Sequence, residues 1–157
     1  MDLVGPGPIE PHFEDSINAV SDIDVEGSWI DLGAGAGFPG IALATLHPGA
    51  TVHLLESRHK RCVFLRRVVT ESGLRNVKIL QKRTENISTF FDGIISRAYK
   101  PPIEYLRDAR RLCKPSGKVV LLTGDNDDFK PDEDWKLISK TRYPVGDGFR
   151  KRFLLAP

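Results

Sequence analysis

Apolar and polar positions divide the chain into alternating short runs. Ser28-Trp29-Ile30-Asp31-Leu32 is apolar and ends in glycines, which predicts a buried strand. Residues 39–46 predict a helix with proline in its first turn. Thr51-Val52-His53-Leu54-Leu55-Glu56 predicts a second strand. Over 58–72, Cys62, Leu65, Val68 and Val69 recur at helical spacing, and Gly73 is a stop. Third and fourth strands are expected at 77–80 and 91–96, and a helix at 103–113 after Pro101-Pro102. Pro115-Ser116-Gly117 predicts a turn into a fifth strand at 118–122. Residues 135–143 and 150–155 are expected to pair as an antiparallel hairpin. The Pro-, Gly- and acid-rich residues 1–26 hold at most one short helix, around 15–20. Alternating strands and helices imply a parallel, doubly wound α/β sheet.

At 157 residues the chain is long enough for one core and too short for two. The expected organisation is a short extension over 1–26 and a single domain over 27–157. No apolar run is long enough to span a bilayer, and Met1 to Pro6 has neither a basic region nor an apolar stretch. Cys62 and Cys113 lack metal-ligand spacing and read as reduced, buried thiols of a cytoplasmic protein. The four histidines share no metal spacing either, and no metal is expected.

The net charge of +2 hides an asymmetry. Residues 1–57 hold nine of the 21 acids and no Lys or Arg. Residues 58–157 hold all 23 basic residues and the remaining twelve acids. Such a division points to a polyanionic partner, or else to a solvated surface of uneven sign.

The sharpest motif is Asp31-Leu32-Gly33-Ala34-Gly35-Ala36-Gly37-Phe38-Pro39-Gly40, between the first strand and the first helix. Glycines there permit a tight turn and close approach of a ligand to the main chain. Phe38 stands where a dinucleotide fingerprint needs glycine, and the Lys-Ser/Thr of a phosphate loop is absent. An Asp ahead of Gly33, Gly35 and Gly37 is the pattern of S-adenosylmethionine-dependent methyltransferases. Asp31 suits the ammonium of that cofactor. Glu56, closing the second strand about 20 residues later, suits the ribose hydroxyls.

These residues resemble a family. The loop, Leu54-Leu55-Glu56-Ser57-Arg58, Arg83-Thr84-Glu85 and Ser96-Arg97-Ala98 together are similar to the bacterial small-subunit ribosomal RNA guanine-N7 methyltransferases, the glucose-inhibited division protein B family. His12-Phe13-Glu14-Asp15-Ser16 resembles a His-x-x-Asp-Ser segment that precedes the family's first strand. The resemblance implies a class I, Rossmann-like methyltransferase fold. That is a mostly parallel seven-stranded sheet with a C-terminal antiparallel hairpin. It implies that Gly33 and Phe38 line S-adenosylmethionine, Glu56 holds its ribose, Thr84 and Glu85 contact the adenine region, and Arg97 sits beside cofactor and target. The implied reaction is methylation of N7 of guanine 527 in 16S ribosomal RNA, by a monomer acting on RNA or the ribosomal particle. The family usually has a longer helical N-terminal region, and many relatives have Lys-Gly where this chain has Thr123-Gly124.

Guanine N7 carries an exposed lone pair, so the transfer needs placement more than proton removal. Arg97, just past the fourth strand, suits a phosphate or a guanine edge; the alternative is a salt bridge with Asp92 or Glu104. Basic clusters lie at Arg58-His59-Lys60-Arg61, at Arg107-Arg110-Arg111-Lys114, and at Arg150-Lys151-Arg152. Arg58, Lys60, Arg61, Arg150 and Lys151 are the expected RNA contacts. Two other functions fit the same residues: a methyltransferase with a different acceptor, and a cofactor-binding module without catalysis.

Overall fold

The computed structural model describes residues 7–127 and 129–157. The six N-terminal residues, with the start of the Gly-Pro stretch, and Asp128 of the expected acidic loop lie outside the described residues. Elements follow in the order α1 (Glu10–Val20), β1 (Ser28–Leu32), α2 (Gly40–Leu46), β2 (Thr51–Leu55), α3 (His59–Glu71) and β3 (Val77–Leu80). A 3₁₀ turn (Thr84–Asn86), β4 (Phe91–Ser96), α4 (Pro102–Leu112), β5 (Cys113–Gly124), β6 (Lys136–Val145) and β7 (Gly148–Ala156) complete it.

One seven-stranded sheet has the order β3-β2-β1-β4-β5-β7-β6. The first five strands run parallel, whereas β7 is antiparallel to both β5 and β6. The order reverses between β1 and β4, and ligands of open α/β sheets bind outside the carboxyl ends of the strands at such a switch point. Apolar side chains of α1, α2 and α3 cover one face, including Ala19, Val20, Leu43 and Leu65. Tyr105, Leu106, Ala109 and Leu112 of α4 cover the other. Strand β1 feeds both cores, because successive side chains point to opposite faces: Trp29 joins the first and Ile30 the second.

Two elements depart from the sequence reading. Helix α1 is longer than expected and begins at Glu10, because Pro11 sits in the first turn, where no amide donor is required. Its Ala19 and Val20 are fully buried, so the segment before β1 is part of the core. The expected turn at Pro115-Ser116-Gly117 lies inside β5. Phe91 pairs with Cys113 and Gly93 with Lys118, so the extra residues bulge out of the ladder. The hairpin turns at Gly146, whose positive φ of 54° suits glycine.

Candidate active site

The loop after β1 folds back on the sheet edge. The Ala34 amide donates to Leu55 O at 2.9 Å, the Gly37 amide to Ala34 O at 2.7 Å, and the Ile41 amide to Gly37 O at 2.7 Å. Gly33 has φ +70°, and a Cβ there would lie 2.7 Å from the Tyr99 ring, so only glycine fits between loop and ring.

Asp31 is fully buried beneath this loop. Its Oδ2 accepts the Gly40 amide at 2.9 Å, and its Oδ1 has no partner among the described residues. Burial pushes its carboxyl up to about 7, against the opposing Gly40 hydrogen bond and the Arg97 charge. Glu56 follows β2 directly. Its Oε2 accepts the Gly35 amide at 3.2 Å and its Oε1 the Arg58 amide at 2.8 Å. The Arg61 guanidinium lies 3.6 Å from Oε2. One carboxylate thus joins the glycine loop to the entrance of α3, a helix start crowded with cations that the macrodipole disfavours.

Two adjoining cavities open along this edge and share Gly33, Arg61 and Ala98. The first, of about 510 Å³, lies between the glycine loop, Phe38, Arg97, Thr123 and Arg150. The second, of about 880 Å³, lies between Glu56, Arg58, Thr84, Glu85 and Tyr99. Thr84 is buried, its Oγ1 paired with the Tyr99 hydroxyl at 2.5 Å. Arg111 donates to Thr84 O at 2.6 Å and Ile87 O at 2.8 Å, which fixes the turn that carries Glu85.

Arg97 pairs with neither Asp92 nor Glu104 among the described residues. Its partner is Asp15 of α1, with Nη1 to Oδ2 at 3.1 Å. Its guanidinium carbon lies 5.4 Å from the centre of the Phe38 ring. Asp92 instead holds Lys114 and the Ser28 amide, and these bonds, that from Lys114 foremost, lower its carboxyl below the usual range.

The basic clusters separate by structure. Arg58, Lys60 and Arg150 are exposed, and Lys151 donates to Asp127 O at 3.1 Å. Arg152 corrects the third cluster: it is only 2% exposed, and its guanidinium binds the Asp22 carboxylate, Ala19 O and Thr141 Oγ1. The Arg110 guanidinium covers Trp135, and Arg111 and Lys114 hold Thr84 and Asp92, so this stripe is largely structural. Asp125 of the acidic loop is held by Arg142 through two hydrogen bonds of 2.8 and 2.9 Å. Both cysteines are buried free thiols, and burial raises Cys113 to about 11.

His12, Asp15 and Tyr143 also line the first cavity, and the sequence reading assigned them no part in it. The His-x-x-Asp-Ser segment was the available signal for two of them. Tyr143 had none, because only the folded hairpin brings it to Asp15.

A sheet of this topology, with a glycine loop after β1 and a carboxylate after β2, defines a class I S-adenosylmethionine-dependent methyltransferase fold. A methyltransferase of Aquifex aeolicus has the same fold, with a TM-score of 0.70, 16% identity, and coverage of 96% of this chain and 94% of that one. The family is narrower: the chain belongs to the GidB family, rRNA small subunit methyltransferase G, whose model matches residues 7–142. A Ribosomal RNA small subunit methyltransferase G of Yersinia pseudotuberculosis is 40% identical over 131 residues, 81% of this chain and 61% of the relative. The one of Alkalilimnicola ehrlichii is 37% identical over 115 residues, 72% of this chain and 52% of the relative. The chain therefore spans about half the length of curated relatives that it matches.

The residues present fit S-adenosylmethionine. Asp31 Oδ1 is a buried acceptor with no partner among the described residues, the chemistry that suits an ammonium group, and Glu56, on the wall of the larger cavity, keeps free lone pairs for ribose hydroxyls. Gly33 lines both cavities, so a ligand in either lies beside this part of the loop.

Proposed function

We propose that this chain transfers a methyl group from S-adenosylmethionine to N7 of a guanine in small-subunit ribosomal RNA, guanine 527 in 16S numbering. The observation that supports this most is the pair of adjoining cavities that share Gly33 of the glycine loop, one bordered by Glu56 and the other by Arg97, in a chain of the rRNA small subunit methyltransferase G family. When bound, S-adenosylmethionine would supply an electrophilic methyl for the N7 lone pair, with the S–C bond breaking as the C–N bond forms, a thioether as leaving group and the positive charge passing to the base.

The protein's part is placement. Asp31 would take the cofactor's ammonium and Glu56 its ribose hydroxyls, Gly33 and Phe38 would line it, and Thr84 and Glu85 would border the adenine. Arg97, on the wall of the smaller lobe, donates hydrogen bonds to the guanine or its phosphate. No residue need abstract a proton before attack, so the rate comes from holding N7 in line at near-attack distance. Arg58, Lys60, Arg61, Arg150 and Lys151 face the RNA backbone around the same edge. Recognition of this kind acts on unstacked bases and shape. The partner is small-subunit rRNA or its particle, in the cytoplasm.

Mass mapping of small-subunit rRNA from cells lacking the protein tests this. Loss of one N7-methylguanine is expected, and an unchanged methylation pattern would sink the reading.

A further inference from the structure

Asp15 is the one carboxylate that lines the Arg97 lobe among the described residues. It is 6% exposed, and both its oxygens are used. Oδ2 takes Arg97 Nη1 at 3.1 Å, and Oδ1 takes the Tyr143 hydroxyl at 2.9 Å. Arg97 Nη1 also reaches His12 O at 3.5 Å, and the Ser16 hydroxyl donates to that same carbonyl at 2.6 Å. His12 and Phe13 both lie against Phe38, the ring beneath the guanidinium.

Helix α1 is itself anchored to the hairpin. Asn18 donates to Pro144 O at 2.9 Å, and the Gly146 amide donates to Glu14 Oε2 at 2.7 Å. Three segments remote in sequence therefore converge on one carboxylate: α1, the end of β4, and β6.

An arginine side chain has many rotamers, and a ligand that must immobilise it loses affinity. Here the protein has already fixed it. Among the described residues only Nη1 of the guanidinium has a protein partner, which leaves most of its five N–H donors for a ligand.

We propose that Asp15 is a positioning residue for methyl transfer: it fixes the Arg97 guanidinium over Phe38 on the wall of the acceptor lobe. Tyr143 holds the second carboxylate oxygen and so sets the direction of the first. The proposal rests on the methyl-transfer reading, and it gives the His-x-x-Asp-Ser segment a task. Displacement of a positioned group by about 1 Å costs on the order of a hundredfold in rate.

The test uses the full chain with the variants D15N, D15A, R97A and D15N/R97A. Arginine side-chain ¹⁵N spectra read the guanidinium without catalysis. A slowly exchanging Arg97 signal, assigned by its loss in R97A, is expected to collapse in D15N and D15A. Methyl transfer to unmethylated small ribosomal subunits is expected to fall about a hundredfold in D15N. In the R97A background the same change should cost nothing further, because Asp15 acts through Arg97. An unchanged Arg97 signal in D15N overturns the proposal. So does a D15N loss that adds in full to that of R97A, or a D15N that only melts earlier. A wild-type chain that holds Arg97 rigid yet methylates no ribosomal RNA sinks the rRNA reading and leaves the Asp15–Arg97 coupling standing.

Discussion

The Asp31 carboxylate receives the Gly40 amide at 2.9 Å on one oxygen and, among the described residues, nothing on the other, although the side chain is fully buried. The end of β1 is thereby tied to the first turn of α2, across the loop on which the cofactor would lie.

This arrangement has a pH signature. Burial raises the native carboxyl to about 7, whereas an unfolded Asp titrates near 3.9. Between those values the native state holds a proton that the unfolded state has lost. Asp31 therefore lowers stability as pH rises through that window, and its contribution is constant above about 7. Asp31→Asn keeps an acceptor for Gly40 and removes the titration. Urea unfolding at pH 5 and pH 8 should show the variant losing less stability between the two than the wild type. Equal losses in both chains would contradict the raised carboxyl.

Glu56 carries both structure and binding. Glu56→Gln keeps one acceptor and removes the charge that faces the ribose site. Loss of charge-assisted hydrogen bonds predicts a cofactor dissociation constant raised about ten- to a hundredfold. Isothermal calorimetry with S-adenosylmethionine checks this, and an unchanged constant would place the ribose elsewhere.

Arg152 shows where sequence reasoning failed. It sits in a basic run with Arg150 and Lys151, and Arg150 shares its strand face two positions away; Arg152 is nonetheless buried, because Ala19 O of α1 and the Asp22 carboxylate take its guanidinium, while Arg150 stays exposed. Its partner Asp22 keeps a side chain 58% exposed, and the guanidinium hydrogen bonds draw the Asp22 carboxyl below its ordinary range. Arg152→Ala should cost about 3 kcal/mol, near the low end for a broken buried pair, because Asp22 can rehydrate. Chemical denaturation measures it. The same variant is expected to leave the salt dependence of RNA binding unchanged, since Arg152 has no face toward RNA.

The alternation of strands and helices was legible because each element is short and its period is clear. The parallel order and the hairpin followed from that pattern. The placement of Asp31 in β1 and of Glu56 just after β2, either side of the glycine loop and α2, was legible because both lie within one βαβ unit. The Asp15–Arg97–Tyr143 contact was not: its members lie up to 128 residues apart, and no local period links them. The role of Pro115-Ser116-Gly117 was misread for a related reason. Turn residues inside a paired strand make a bulge, and only the neighbouring strand reveals it.

The exposed cations make a separate prediction. Removing one cation that neutralises a phosphate should reduce the slope of log affinity against log salt by about 0.7–0.9. Changing Arg58, Lys60 and Arg150 together to Gln should lower that slope by about two or more and weaken small-subunit RNA binding at low salt. Filter binding over a salt series measures this. An unchanged slope would move the RNA to another face.

The most direct measurement is transfer of a labelled methyl group. Purified chain, labelled S-adenosylmethionine and small ribosomal subunits lacking the modification are incubated, and the RNA is cleaved chemically at N7-methylguanine. One methyl per particle and cleavage at a single guanine are expected, with both lost in R97A. Cofactor bound beside the glycine loop and Glu56 with no label entering the RNA would contradict the central claim.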